Sequence, residues 1–352
     1  MSEYKGIKGL TIQEVASDPP APLEGQVWYN TTASALKTYY FNAGTWSSAN
    51  TLNDLRGYVQ GIGTQTAALG IGGYRDPEGT EAGPIYNKSD KFESYNGTNW
   101  TVLTDLPTPM NYINSNTRGG AGTQTSALVF AGSNPSLSPP NFDDQTDSYN
   151  GTNWTTVNNL TYGRKYLSGF GASNTSAIAL GGSQPSLLGD ANVETESWNG
   201  TNWTSVNSMN TKRFRNQSGS TGTATAGLVV SGQTDPGSTT NVESWNGTNW
   251  TEIDNYPTPI SFHGVTGSQT AAVVFGGYIP PGPPRSSETQ SYNGTVFNVV
   301  GSMASDRSNF GSGGTSNTSA LAFTGQSPYD PKPSQTTEEF NAGFATATWK
   351  TE

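Results

Sequence analysis

The chain has 352 residues, with 43 Gly, 21 Pro, no Cys and one His, and only 12% of it is charged. Its 17 Lys and Arg stand against 27 Asp and Glu, and a net charge of −10 argues against a nucleic-acid partner, because phosphate binding needs a basic face. Without Cys there is no disulfide framework, Cys-ligated metal or thiol nucleophile, and His263 alone cannot supply a His-rich metal cluster.

Hydrophobic residues make up 32% of the chain, yet it carries 9 Trp, 16 Tyr and 13 Phe among abundant Thr and Val. Disordered chains are poor in aromatic and β-branched residues. Gly and Asn for turns, with Thr and aromatics between them, predict many short β-strands.

In chain order, residues 1–15 lack a basic region followed by an apolar core, so no signal peptide is expected. No stretch approaches the roughly 18 apolar residues of a membrane helix, so no membrane insertion is expected. Residues 25–46 predict a three-stranded meander, with 7–15 available as a fourth strand. The meander ends in the hairpin phrase Phe41-Asn42-Ala43-Gly44-Thr45-Trp46. A close relative, Tyr95-Asn96-Gly97-Thr98-Asn99-Trp100, recurs at 149–154, 198–203 and 245–250, and with drift at 292–297 and from Phe340, where Trp349 is displaced. The leading aromatics fall at 41, 95, 149, 198, 245, 292 and 340, a period near fifty.

A second phrase lies between these marks: 63–73, Gly-Thr-Gln-Thr-Ala-Ala-Leu-Gly-Ile-Gly-Gly, with relatives at 122–132, 171–182, 222–232, 267–277 and 314–325. Each predicts a strand end, a tight polar turn and a short apolar strand. One unit is then four strands, in the third unit 166–172, 177–180, 193–198 and 203–206. The second strand is continuously apolar, as for burial on both faces. Aromatics five residues apart lie across the outer hairpin, so Trp46, Trp100, Trp154, Trp203 and Trp250 are expected to fill the space between sheets.

A four-stranded sheet repeated at this period predicts an all-β propeller, which avoids long exposed edges by radial repetition. Dividing the chain evenly favours seven blades, residues 1–52 forming an atypical first one. The alternative is six blades over 53–352, in repeats of about 53–108, 109–159, 160–209, 210–258, 259–302 and 303–352, with 1–52 as an attachment module.

With its small Gly-Gly strand, variable loop, Tyr or Trp and then Trp five residues on, the unit resembles a kelch-type propeller repeat. It departs from that pattern in its Asn-Gly-Thr-Asn turn and its often single Gly. The opening, Ile7 to Val15 with Asp18-Pro19-Pro20-Ala21-Pro22 and Gly25-Gln26-Val27-Trp28-Tyr29-Asn30, is similar to N-terminal segments of virion-associated proteins from tailed phages of marine bacteria. The resemblance covers essentially the entire chain. It implies a structural or adhesive virion protein of the tail, made in the host cytoplasm, and it carries over no catalytic residue.

The chemistry readable from residues is sparse. Kelch-type copper oxidases need a Tyr–Cys crosslink and several His, which are absent, and no regularly spaced sialidase box occurs. His263 reads as a loop histidine between blades. The pairs Asp143-Asp144, Glu338-Glu339 and Glu194 with Glu196 are the candidates for glycosidase carboxylates, but Glu93, Glu196 and Glu243 recur in the third strand and read as structural. Acidic loops such as 143–144 could hold Ca²⁺, although no EF-hand pattern is present. No catalytic, cofactor or metal site is therefore assigned. The Asn-x-Thr sequons belong to the repeated turn, where Asn-Gly serves backbone geometry.

Arg56, Arg164, Arg215 and Arg307 each precede a turn Gly by seven residues, with Arg118 nearby in the second unit and Ile260 in the fifth. They read either as a ring of positive charge at a channel mouth or, preferably, as repeated bonds to blade-linking carbonyls or a third-strand carboxylate. The loops between second and third strands vary most and bring Tyr74, Arg75, Tyr86, Phe142, Asp143, Tyr278, Arg285 and Tyr329 toward one face. Pro-stiffened loops lose less entropy on binding, and aromatics with Arg and Asp suit carbohydrate or protein. The expected function is non-enzymatic: a tail component contributing architecture or host-surface attachment. Its expected partners are other virion proteins, through residues 1–52, and a host glycan or protein. The alternatives are a polysaccharide-degrading tail enzyme and a cellular kelch-like scaffold.

Overall fold

The computed structural model describes residues 12–20, 26–75, 87–88, 91–104, 118–133, 142–184, 191–215, 219–281, 285–326 and 334–350. Regular structure among them is entirely β. The chain divides into two compact units, one of Thr45–Asn341 and one of Met1–Gly44 with Ala342–Glu352.

Both repeated phrases fold as local turns. Asn96 Oδ1 accepts the N–H groups of Thr98 and Asn99 at 3.0 and 2.8 Å, while Gly97 takes φ +88°. This Asx turn reverses the chain so that Tyr95 pairs with Trp100, and it repeats at Asn150, Asn199, Asn246 and Asn293. In the other phrase Gly63 takes φ +112°, and a Cβ there would lie 2.3 Å from the Ala67 carbonyl. Only Gly fits that hairpin.

The first blade is an antiparallel sheet of Gln60–Gly63, Ala68–Ile71, Phe92–Tyr95 and Trp100–Val102, in that order from inside out. Four further sheets repeat the plan, with inner strands Gly119–Thr123, Ser168–Ser173, Ser220–Thr223 and Gly264–Ser268. A sixth begins with Gly311–Ser316 and Ser319–Phe323. The inner strands touch in cyclic order, and the last touches the first. The propeller therefore has six blades, the alternative to the seven that even division of the chain favoured.

The difference turns on one residue of the turn phrase. The left-handed turn position after Asn holds Gly97, Gly151, Gly200, Gly247 or Gly294, but Ala43 and Ala342 stand there in the first and last copies. An L-residue with a Cβ resists that conformation, and the chain does not reverse. Ala35–Ala49 and Thr337–Lys350 are instead single long strands, paired side by side. The predicted hairpin at 41–46 is thus absent, and the stretch from Thr45 to Ala49 becomes the outer strand of the sixth blade. The N-terminal segment contributes one strand to the ring and no blade of its own.

Three sets of contacts join the blades. Second strands such as 127–130 are fully buried, and each apolar cluster spans two blades, as where Leu69, Ile71 and Phe92 meet Ala127, Val129 and Tyr149. Each such buried aliphatic or aromatic side chain contributes about 1.5–3 kcal/mol. The outer-strand Trp Nε1 donates to a Thr hydroxyl of the preceding blade's third strand: Trp100 to Thr337, Trp203 to Thr146, Trp250 to Thr195 and Trp46 to Thr289, at 2.9–3.1 Å. The Trp46 bond places that residue in the sixth blade. In the fifth blade Phe297 replaces Trp and packs against the apolar cluster that contains Val242. In the second, Trp154 meets Phe92 edge-on and its Nε1 is buried without a partner. Finally, the hairpin Gln or Asn docks on the carbonyl of the preceding blade's turn aromatic: Gln124 on Tyr95, Asn174 on Tyr149, Gln269 on Trp245, Asn317 on Tyr292 and, across the closing seam, Gln65 on Phe340.

The second unit is a smaller sheet. Gln13–Val15 runs parallel to Val27–Asn30, which pairs antiparallel with Ala35 to Thr38. Asp18 accepts hydrogen bonds from Lys37 Nζ (2.7 Å), Asn30 Nδ2 (2.7 Å) and Trp28 Nε1 (3.0 Å). These donors, Lys37 first, bring its pKa down to about 2. The Asp18-Pro19-Pro20 turn is thereby tied over the buried Trp28.

Candidate functional site at the channel mouth

Of the repeated arginines, Arg56, Arg164 and Arg307 lie inside the blades and line neither channel cavity, whereas Arg215 lines the cavity where the inner strands begin. Arg56 Nη1 donates to the carbonyls of Gly72 and Lys91, and its Nη2 meets Glu93 at 2.7 Å. Arg164 binds Gly181, Glu194 and Glu196 in the same way, and Arg307 binds Thr324, Thr336 and Glu338. The carboxylate's other bonds hold the incoming crossover, as where Glu93 accepts the Asn53 N–H and Glu196 the Thr161 N–H. Burial lowers the pKa of Arg164 and Arg307, and the adjacent glutamate opposes it.

In the fourth blade this position belongs to Arg213, bonded to Ser231, Asn241 and Glu243, and not to Arg215. The fixed seven-residue spacing fails because the segment before the turn Gly is two residues longer here. Arg118 reaches its carboxylates, Asp147 and Asp143, from a different chain position. In the fifth blade Ile260 replaces Arg and Gln290 replaces Glu, so cation and anion are lost together.

Of the loop residues singled out from the sequence, Tyr278 and Arg285 reach the channel mouth. Asp143 does not face solvent. It is buried in the second blade, accepts the Gln145 N–H, and sits with Phe142 in the strand Phe142–Tyr149 rather than in a loop. The half-buried Phe142 ring carries Lys165 Nζ 4.6 Å from its centre. Tyr74 and Arg75 form a two-residue strand paired with Asn87–Lys88. Tyr86 and Tyr329 lie outside the described residues.

What the sequence reading missed is the residue two places after Arg56, Arg164, Arg213, Ile260 and Arg307. Tyr58, Tyr166, Arg215, Phe262 and Asn309 all take a left-handed backbone, with φ between 52° and 60°. Their backbones form a hydrogen-bonded belt: Arg215 N donates to Tyr166 O, Phe262 N to Arg215 O, Asn309 N to Phe262 O and Tyr58 N to Asn309 O, at 3.0–3.2 Å. The last bond crosses from the first blade to the sixth. A recurring strained conformation in bulky residues is sustained only where the surroundings over-determine it. The Arg-x-aromatic spacing of Arg56 with Tyr58 and Arg164 with Tyr166 was the available signal.

The belt surrounds a cavity of about 490 Å³ at the end of the channel where the inner strands begin. Tyr58, Tyr166, Phe262 and Tyr278 supply aromatic surface, and Arg215, Arg285, Gln233 and Gln326 supply polar groups. Tyr58 Oη donates to Gln326 Oε1 at 3.0 Å, and Arg215 Nη1 to Gln233 Oε1 at 2.8 Å. The described lining contains no Asp, Glu or His.

A second cavity, of about 460 Å³, opens where the inner strands end in their hairpins. Its described lining is Gly, Ser, Thr and a few neutral side chains, without a charge. His263 lies in the segment between the fourth and fifth blades, as expected of a loop histidine. It is buried just before the fifth blade's inner strand, and neither ring nitrogen makes a hydrogen bond of good geometry. Burial brings its pKa down to about 3, the Val230 backbone opposing this and Arg213 adding to it. The carboxylates Glu194 and Glu196 are engaged by Gln184 and Arg164. Burial and the neighbouring Asp143 raise the pKa of Asp144, whose side chain accepts from Asn159. Among the described residues no group of three or more His, Cys, Asp or Glu is placed to hold a metal ion. Aromatic surface with amides and guanidinium groups binds and orients a polar ligand. No known protein family matches the chain, and no curated protein matches it.

Proposed function

We propose that the protein is a non-enzymatic, tail-associated virion component that uses the belt end of its propeller to attach to the host surface. The observation that carries the binding part is the mouth lined by four aromatic rings, two guanidinium groups and three amides, with no carboxylate in its described lining. Rings with few rotatable bonds and adaptable polar groups suit a carbohydrate or protein epitope. The virion part rests on the likeness of the opening, Ile7 to Val15 and Gly25 to Asn30, to phage particle proteins, and on the kelch-like repeat.

Mass spectrometry of purified particles tests the virion reading, which predicts the chain in stoichiometric amount; absence from intact particles overturns it. Retention of the purified chain on host cells tests attachment. Failure to bind cells, with the chain still in the particle, would leave an architectural role.

A further inference from the structure

We infer that the belt cavity receives a carboxylate-bearing sugar, with Arg215 as the group that takes the carboxylate; this rests on the reading of the mouth as a glycan-attachment site. Arg56, Arg164, Arg213 and Arg307 each give an outer nitrogen to a buried carboxylate. Arg215 has no carboxylate within ion-pair distance among the described residues, and its hydrogen bond to Gln233 is to a neutral amide. Its guanidinium lies 5.5, 5.3 and 5.6 Å from the ring centres of Tyr166, Phe214 and Phe262. The ring contacts restrain the guanidinium; its Nε is buried without a partner and Nη1 donates to Gln233, so the outer Nη N–H groups are the donors for a carboxylate.

The charged residues of the described lining have the same sign. Lys165 lies 5.7 Å from the Tyr166 ring centre, and its pKa is lowered, first by burial and then by Arg215. Arg285 lines the same cavity, with Nε on Ser308 Oγ at 2.9 Å. Asp235, near Gly237 of the lining, is exposed and makes no ion pair with Arg215. A chain with net charge −10 thus gathers cations at one mouth. A cavity of about 490 Å³ falls within the usual range for small ligands. The aromatic rings offer faces to the C–H surface of a pyranose, and Gln233, Gln326 and Asn309 offer partners for hydroxyls. A bare anion would use the guanidinium but leave the rings idle, which favours an acidic sugar over free phosphate.

Calorimetric titration of the full chain with trigalacturonate, maltotriose and inorganic phosphate tests this. The acidic trisaccharide is expected to bind about tenfold or more tighter than either other probe, and more weakly as salt is raised. Arg215→Asn copies the residue that blade six carries at the same backbone position, so it should melt like the wild type while losing about tenfold or more in affinity for trigalacturonate. Gln233→Ala, which frees the guanidinium without removing it, should lose less. Equal binding of maltotriose, phosphate binding as tight as trigalacturonate, or unchanged affinity in a folded Arg215→Asn would each overturn the inference. No trigalacturonate binding by a chain that still adheres to host cells would overturn it and leave attachment standing.

Discussion

The two ends of the channel are built from the same six inner strands, yet they differ in chemistry. At the hairpin end the strands crowd the axis: a Cβ on Gly61 would lie 2.2 Å from the Ser312 backbone nitrogen of the neighbouring blade. Little side-chain volume fits there, and the lining is small and uncharged. At the belt end the chain enters five of the six strands through a left-handed residue that lines the cavity, so Tyr, Arg, Phe and Asn all occur at one backbone position. The repeat fixes the backbone at both ends. Only the belt end leaves the side chain free to differ between blades, and specificity can reside only where residues differ.

The largest effect should come from the crossovers beneath the belt. Arg213→Ala leaves Glu243 buried without its cation and should cost about 3–5 kcal/mol in denaturant unfolding. The double substitution Arg213→Ile with Glu243→Gln copies the Ile260 and Gln290 pair of the fifth blade, and it should recover most of that loss. If the double variant is as unstable as the single, the exchange seen between blades does not reflect mutual compensation.

Next in size is a pH effect seated near the same end. His263 is held neutral with a pKa of about 3, far below its unfolded value of about 6.5. The unfolded chain therefore binds the extra proton as pH falls through about 6.5. Stability should be full above that value and decline by about 1.4 kcal/mol per pH unit below it. Between about pH 6.5 and 5 most carboxylates remain ionised, so the slope should vanish in His263→Val, and a slope that survives the substitution would refute this origin.

Smaller effects are expected at the hairpin end. Gln269→Ala removes the bond to the Trp245 carbonyl and should cost about 1 kcal/mol, since a typical intramolecular hydrogen bond contributes that much. The fourth blade already has Ala224 at this position. Smallest of all, Trp154→Phe should change stability by no more than about 0.5 kcal/mol, because it removes an Nε1 that has no partner. Trp203→Phe, which loses the bond to Thr146, should cost about 1 kcal/mol. Equal losses in the two variants would show that the Trp–Thr bonds do not contribute.

Much of the fold was legible because its signals are local. The Asx turn after each aromatic, the buried second strand and the hairpin Gly depend on residues within a few positions of one another, and repetition made them unmistakable. The blade count was misread because the clue was a single Ala after Asn42 and Asn341, which abolishes a turn and pairs the two ends of the propeller as long strands. The structural arginine of the fourth blade was misplaced for a similar reason: Arg213 and Arg215 flank Phe214, and spacing could not say which one turns inward.

By itself, then, the sequence determined the repeating unit, its four strands and the aromatic filling between blades, since turn geometry and apolar burial follow from neighbouring residues. Only the tertiary structure decided that six units close into a ring through a strand near the N-terminus, and that Tyr58, Tyr166, Arg215, Phe262 and Asn309 meet around one mouth. Those residues are about fifty positions apart along the chain, and nothing local couples them. Closure brings them together, because every inner strand must enter the ring at the same height.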